Sequence, residues 1–460
     1  MLANTQPLWI RGGRVIDTAQ HFDGLADILI VDGTVYAFGT SDEVASAVTS
    51  LEQQGRSVTT FQVPADAIVT PGFIDLHVHL REPGYEARET IRSGTLAAVQ
   101  GGYTTICCMP NTNPVLDNRG TLEWITGIAA SLPARVLPIA AITQRQEGTV
   151  LTEMTELSDA GAVAFSDDGK PVRSSGMMRL ALTYALNLDR PIVNHCEDPD
   201  IVGKGVMNEG AIATRLGLRG WPISGETIML ARDLELTRLT GSRYHAAHLS
   251  SVASVELVRR AKQEGLRVTA EVTPHHLLLT DAWVAGEREG VLAGANGRRY
   301  DTSTKVNPPL RTLSDTQALI EGVKDGTIDV IATDHAPHSD VEKVCTYDEA
   351  AFGISGLETA LGGLFTLVHQ QQLTLTQLIA SITSAPAQAF HLTERVGQPV
   401  GTLATGASGD VAIIQPQHEW TVTPHLFASQ GHNTPLEGVQ LRGKVVATIA
   451  AGNIVYKERS

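Results

Sequence analysis

Two histidines one residue apart, His77 and His79, end an apolar run that starts at Ile68. On a strand, residues i and i+2 share a face. Both imidazoles could therefore grip one divalent ion through neutral ring nitrogens. Arg81 follows two residues on, and a guanidinium beside a metal suits a substrate carboxylate. Similar polar clusters end later apolar runs. Asn111, in Met109-Pro110-Asn111-Thr112, could orient a substrate or simply form a turn. In Ser166-Asp167-Asp168-Gly169 adjacent carboxylates face opposite ways, so at most one points inward. His195, in Asn194-His195-Cys196-Glu197-Asp198, and His248, in His245-Ala246-Ala247-His248, each offer an imidazole. In Thr333-Asp334-His335-Ala336-Pro337-His338, Asp334 is a ligand or a general base, and His338 is free for a substrate. His275 and His276 end one more run without a readable role. Nine of the 15 histidines lie in these motifs, far more clustering than scattered core histidines would give. Together the motifs form a set for two divalent ions sharing a carboxylate. Two such ions, roughly 3.5–4 Å apart, can share a hydroxide and polarise a carbonyl.

The elements that must position these groups follow from patterning. Eight apolar, strand-like runs alternate with helical stretches: "IVTPGFIDLHVH", "YTTICCMPNT", "RVLPIAAIT", "AVAFSDDG", "PIVNHCED", "YHAAHLSS", "RVTAEVTPHH" and "DVIATDHAPH". Near-continuous apolarity suits strands buried on both faces. Helices are predicted over 89–100, 176–187, 225–240, 252–264 and 313–325. Eight β/α units close a TIM barrel, whose strand C-termini converge on one mouth. Helices over 356–370 and 375–389 would close its far side. The two ends of the chain are β-rich with Gly-Gly and Asp-Gly turn signals. The predicted fold is therefore α/β: a (β/α)8 barrel over 67–397, plus a small β-sandwich built from residues 1–66 and 398–460. Residues 284–302, Gly- and Arg-rich, read as a surface insertion.

Composition narrows the function classes. The chain has 460 residues, 42% apolar and 18% charged, which is globular rather than disordered. A net charge of -15 and 5% aromatic residues argue against nucleic-acid binding. No apolar run reaches the roughly 18 residues needed to span a bilayer. The N-terminus lacks a basic start followed by an apolar core, so a cytoplasmic protein is expected. Cys107, Cys108, Cys196 and Cys345 show no framework spacing, as for reduced thiols. The 35 basic residues include 8 Lys, the first of them Lys170.

Taken in order, "PGFIDLHVHLREPG", "GGYTTICCMPNTNPV", "SDDGKPV", "NHCED", "AAHLSS", "VTPHHLLL", "KVNPPLR", "TDHAPH" and "FGISGLET" resemble the class I dihydroorotases, cyclic amidohydrolases of pyrimidine (UMP) biosynthesis. The resemblance covers nearly the whole chain. It implies that His77 and His79 bind one metal, His195 and His248 the other, and that Asp168 bridges them. It makes Asp334 both a ligand and the catalytic acid/base. It implies substrate contacts from His79, Arg81, Asn111, Asn307 and His338, with Phe352 and Gly353 lining the site through the backbone. The implied cofactor is Zn2+, one or two per chain. The implied reaction is reversible cyclisation of N-carbamoyl-L-aspartate to L-dihydroorotate, through a metal-bridged hydroxide. A homodimer and association with aspartate transcarbamoylase are the expected partnerships, with no nucleic acid and no membrane.

Two rival readings have distinct signatures. Hydantoinase, dihydropyrimidinase and allantoinase resemble this chain but use a carboxylated Lys on strand 4. Here no Lys precedes Lys170, which lies beyond that strand's end. A non-catalytic structural partner of aspartate transcarbamoylase would have lost metal ligands, and this chain retains the set.

Overall fold

The structure, a computed structural model, describes residues 6–458. Among these, eight parallel strands follow one another in sequence order: β1 (Phe73–Val78), β2 (Tyr103–Cys108), β3 (Arg135–Ala140), β4 (Ala164–Ser166), β5 (Ile192–Asn194), β6 (Tyr244–Ala246), β7 (Val268–Val272) and β8 (Val330–Ile331). The ring closes where Val78 bridges His335, and the His79 N–H donates to the His335 carbonyl at 2.9 Å. This is the (β/α)8 barrel expected from the eight runs.

The first run divides between two domains. Ile68–Pro71 joins a six-stranded sheet with Arg14–Asp17, Phe22–Leu25 and the C-terminal strands Val411–Thr421, Gln440–Ala450 and Asn453–Lys457. Only Phe73–Val78 enters the barrel. Gly72 is the hinge between them, and a Cβ there would lie 2.3 Å from Thr104 Oγ1 and 2.9 Å from Thr104 Cβ. Gly72→Ala is expected to cost about 1–3 kcal/mol through overpacking, seen as a lower midpoint of thermal unfolding. A four-stranded sheet (Thr34–Gly39, Asp27–Val31, Leu8–Arg11, Thr59–Gln62) packs on the six-stranded one. Ile10, Ile28, Val69, Ile413 and Ile449 interdigitate between them in a sandwich made from both ends of the chain.

The helices start where short polar side chains cap them. Thr90, Ser174, Ser251 and Thr312 each accept the backbone N–H three residues on, satisfying a donor the first turn leaves free. The helices run Ile91–Gln100, Ser175–Leu186, Ser224–Thr240, Val252–Gln263 and Leu313–Lys324, within two residues of expectation. One predicted helix is two: 375–389 breaks at Thr383 into Leu375–Ile382 and Ser384–Ala389. In one continuous helix, Pro386 would lack its N–H and press on the Ile382 carbonyl. After the break it sits harmlessly in a first turn. The second piece carries Ala387, Ala389 and Phe390 against Ile74, Leu76, Ile139 and Val330, plugging the barrel floor. The helix predicted over 356–370 is shorter, Ala360–His369.

Residues 284–302 are only partly a surface insertion. Val284, Val291 and Leu292 are buried, the Trp283 indole donates to the Glu289 carbonyl, and only 293–300 are uniformly exposed. The four cysteines are free. No helix among the described residues is long and apolar enough to cross a membrane.

Candidate active site

At the barrel's C-terminal mouth the predicted ligands meet. Ile74 and Leu76 face the barrel interior, so strict alternation would turn His77 and His79 outward. A register shift between Asp75 and Val78 changes the parity, as bulges beside active sites do. Asp75, fully buried, accepts from the N–H groups of His77 and Thr333 and ties β1 to the end of β8. Burial pushes its carboxyl up to about 7.

Hydrogen bonds fix which ring nitrogen is free in three of the imidazoles. His77 Nδ1 lies 2.6 Å from Glu271 Oε1 and donates there, leaving the Nε2 lone pair. His79 Nδ1 donates to Asn111 Oδ1 at 2.9 Å, again leaving Nε2. His195 Nε2 donates to Glu197 Oε2 at 2.9 Å, leaving Nδ1. That Nδ1 is 2.9 Å from His248 Nε2 and 3.6 Å from Asp168 Oδ1. His77 Nε2 lies 3.5 Å from Asp168 Oδ1 and 3.5 Å from Asp334 Oδ1. His79 Nε2 is 3.1 Å from Asp334 Oδ1 and 3.6 Å from Asp168 Oδ2. Two compact groups result, His77–Asp168–His248 and His77–His79–Asp334, sharing His77. His195 stands at the edge of the first. Asp168 reaches toward all four imidazoles. Its neighbour Asp167 turns away, accepting from the N–H groups of Ile142 and Thr143 at 2.9 and 3.1 Å.

These residues fit divalent cations. His77 Nε2 and Asp168 Oδ1 are buried, without hydrogen-bond partners, and face each other. Imidazole lone pairs and carboxylate oxygens are the donor set of zinc-like ions. Burial opposes charge on His77, yet Glu271, Asp168 and Asp334 outweigh it and hold its pKa up at about 10. Burial likewise works against Asp168 and Asp334, and the surrounding imidazoles still hold both well below the carboxylate range. The pocket thus has negative charge to spare. Lys170, the nearest Lys in sequence, is exposed and supplies nothing to it.

Glu271 and Glu197 are the functional groups that strand-end reasoning missed. Glu271, fully buried, sits between His77 Nδ1 and His245 Nε2 (2.6 and 3.0 Å). Such partners set tautomer and ring orientation. Glu271→Gln is expected to weaken metal binding about 10–100-fold, measured as retained metal across a chelator series.

The expected substrate contacts line one wall. Arg81 is 9% exposed, and no carboxylate among the described residues lies within ion-pairing distance of it. Its Nε donates to the Pro337 carbonyl at 3.3 Å, and burial pulls its pKa down to about 10. An unpaired buried guanidinium is costly and calls for an anionic ligand. His338 Nε2 lies 2.8 Å from the Phe352 carbonyl and 3.3 Å from Arg81 Nη2. Burial, then Arg81, pulls His338 down to about 3, so it is a neutral ring. Asn307 donates to Glu197 Oε2 at 2.9 Å and leaves its buried Oδ1 without a partner. Both ends of the Asn111 amide make contacts within the site, Oδ1 with His79 and Nδ2 with Asp168 Oδ2 at 3.2 Å. The Gly353 N–H is likewise already given to the Lys305 carbonyl. Asn433, from the C-terminal segment, accepts from the His338 N–H and donates to the Ala336 and Gly353 carbonyls. His276 holds the Pro308 carbonyl at 2.9 Å, whereas His275 Nε2 has no partner.

Backbone conformation marks the same place. Arg81, His248 and Asp334 have φ of 60°, 29° and 46°. Left-handed backbone at non-glycine residues costs on the order of 1 kcal/mol or more each and concentrates at functional sites.

A family model described as Dihydro-orotase-like matches residues 66–254. The chain is 46% identical over 450 residues to the dihydroorotase of Syntrophus aciditrophicus (strain SB), covering 98% of this chain and 99% of that one. It is 48% identical over 452 residues to the dihydroorotase of Anaeromyxobacter sp. (strain K), covering 98% of each. Among solved structures, L-hydantoinase (dihydropyrimidinase) from Arthrobacter aurescens superposes with a TM-score of 0.83 at 25% identity, covering 98% of this chain and 96% of that one. D-hydantoinase from Thermus sp. gives 0.80 at 23%, a likeness of fold. With nearly half of its residues identical along almost its whole length to curated dihydroorotases, and with this barrel, the chain belongs to the dihydroorotase family.

Proposed function

We propose that this chain is a class I dihydroorotase, interconverting L-dihydroorotate and N-carbamoyl-L-aspartate. The observation that carries the reading is Arg81, a buried guanidinium with no carboxylate of the described residues within ion-pairing distance, beside a His/Asp cluster fit for cations. Dihydroorotate has one carboxylate next to a cyclic amide, and this wall matches that pair of features. In the ring-opening direction Arg81 takes the carboxylate. The unpartnered Asn307 Oδ1 accepts an N–H of the substrate, its amide held in that sense by Glu197. His77, His79, Asp168, His195, His248 and Asp334 would hold divalent cations, zinc in our reading, which would lower the pKa of water and polarise the amide carbonyl. Asp334 accepts the proton of the attacking water and delivers it to the departing amide nitrogen.

We further read the chain as a cytoplasmic enzyme that divides at 1–66, 67–397 and 398–460, apart from the strand Ile68–Pro71, which pairs in the sandwich sheet, and that works as a homodimer and can associate with aspartate transcarbamoylase. Arg81→Lys is expected to raise KM about 10–100-fold with a smaller change in kcat, because a charged bidentate contact is lost. Turnover of dihydroorotate, hydantoin and allantoin by the purified chain, alongside metal content, tests the assignment. Dihydroorotate should dominate. Hydantoin turnover without dihydroorotate turnover would overturn it.

A further inference from the structure

Lys343 lies on the short helical segment Asp340–Lys343, above the site, and is 7% exposed. Its neighbours Val341 and Val344 point into solvent, so the Lys is turned inward deliberately by the fold. Its Nζ donates to three backbone carbonyls: Ala351 at 2.7 Å, Thr302 at 3.0 Å and Lys305 at 3.4 Å. No carboxylate among the described residues lies within ion-pairing distance of it. Thr302 Oγ1 returns a hydrogen bond to the Lys343 carbonyl at 2.7 Å. The Lys305 carbonyl also receives the Gly353 N–H at 2.9 Å. Lys305 in turn sends its ammonium to the Asp348 carbonyl and lies 4.5 Å from the Phe352 ring centre.

Two chain segments meet at this ammonium. One leads within two residues to Asn307. The other leads directly into Phe352 and Gly353, with Phe352 holding His338. On the other side, Glu342 ties the same turn to Arg88 and to the Ser339 N–H.

We propose that Lys343 is a positioning residue for substrate, stapling the Asn307 segment to the Phe352–Gly353 segment so that Asn307 Oδ1 and the His338 ring, which Phe352 holds, stay placed for the ligand held by Arg81. This rests on the dihydroorotase reading for the ligand's identity. The staple itself rests on the carbonyl contacts alone. A buried ammonium is a poor way to stabilise a fold, since an apolar side chain of similar volume often does as well or better. Burial is what pulls the Lys343 ammonium's pKa down, to about 7. Its value lies in gathering carbonyls from two loops, which no apolar side chain does.

The test compares Lys343→Met and Lys343→Arg with the unaltered protein, using L-dihydroorotate kinetics, metal per chain and backbone hydrogen exchange. Lys343→Met should raise KM about tenfold or more while kcat stays within about threefold, with metal content unchanged. Exchange should quicken at Gly353 and over 302–307. Lys343→Arg should restore most of both. Unchanged KM overturns the proposal, as does a raised KM with unchanged exchange. If the Met variant does not fold, Lys343→Gln is read in the same way. If the unaltered protein turns over no dihydroorotate, the activity reading fails separately, and exchange alone decides: quickening confined to these segments supports the staple, and none removes it.

Discussion

Asp334→Asn is expected to lower kcat about 10²–10⁴-fold, the range that general acid–base catalysis contributes, while leaving most of the metal in place. The side chain keeps its size, and Asn Oδ1 can still face His77 and His79, 3.5 and 3.1 Å from Asp334 Oδ1. What disappears is the carboxylate's ability to accept a proton and hand it on. Asp334 sits at the mouth with left-handed backbone, φ 46°. His335 behind it is locked, with Nε2 on Glu89 and Nδ1 receiving the Gly356 N–H. Steady-state rates and metal analysis on one preparation check the expectation. Loss of rate together with loss of metal would assign Asp334 to metal binding alone.

The second large effect is at Asp168. Asp168→Ala should remove the only carboxylate among the described residues that comes within 4 Å of all four imidazoles, at 3.5 Å from His77, 3.6 Å from His79 and His195, and 3.8 Å from His248. Metal affinity should fall by more than the roughly 10–100-fold typical of outer partners, and dihydroorotate turnover should fall with it. Asp167→Ala is the contrast. Asp167 holds the backbone of Ile142 and Thr143 and approaches none of the imidazoles. Its loss should lower the unfolding midpoint and leave metal per chain unchanged. Calorimetry and metal analysis on both variants separate the two aspartates. Equal metal loss in both would contradict the assignment.

The meeting of the candidate ligands was legible in the sequence because a barrel's strand ends converge, so position along the chain became position in space. His77, His79, His195, His248, Asp168 and Asp334 all follow that rule. Which of Asp167 and Asp168 faces inward was open on alternation alone, because one residue's shift of parity reverses the answer. The register shift in β1 shows how easily that happens. Glu271 left a trace, a carboxylate inside the apolar run "RVTAEV", where a buried acid demands a partner. That trace does not name His77 and His245, since they come from other strands. Asn433 and Lys343 left none: each works through backbone carbonyls brought near by loops, and loop paths have no period to read. The division of the first run at Gly72 was hidden for a related reason. Apolarity continues straight through from one domain to the other, and only the close approach of Thr104 explains the glycine.

Loaded with cations, the His/Asp cluster should open the dihydroorotate ring. The most direct measurement is hydrolysis of L-dihydroorotate by metal-stripped protein as zinc is added back. Activity should be absent without metal and should rise to a plateau at one or two zinc ions per chain, in step with zinc bound. Full turnover by the stripped protein, or no turnover at saturating zinc, would contradict the account.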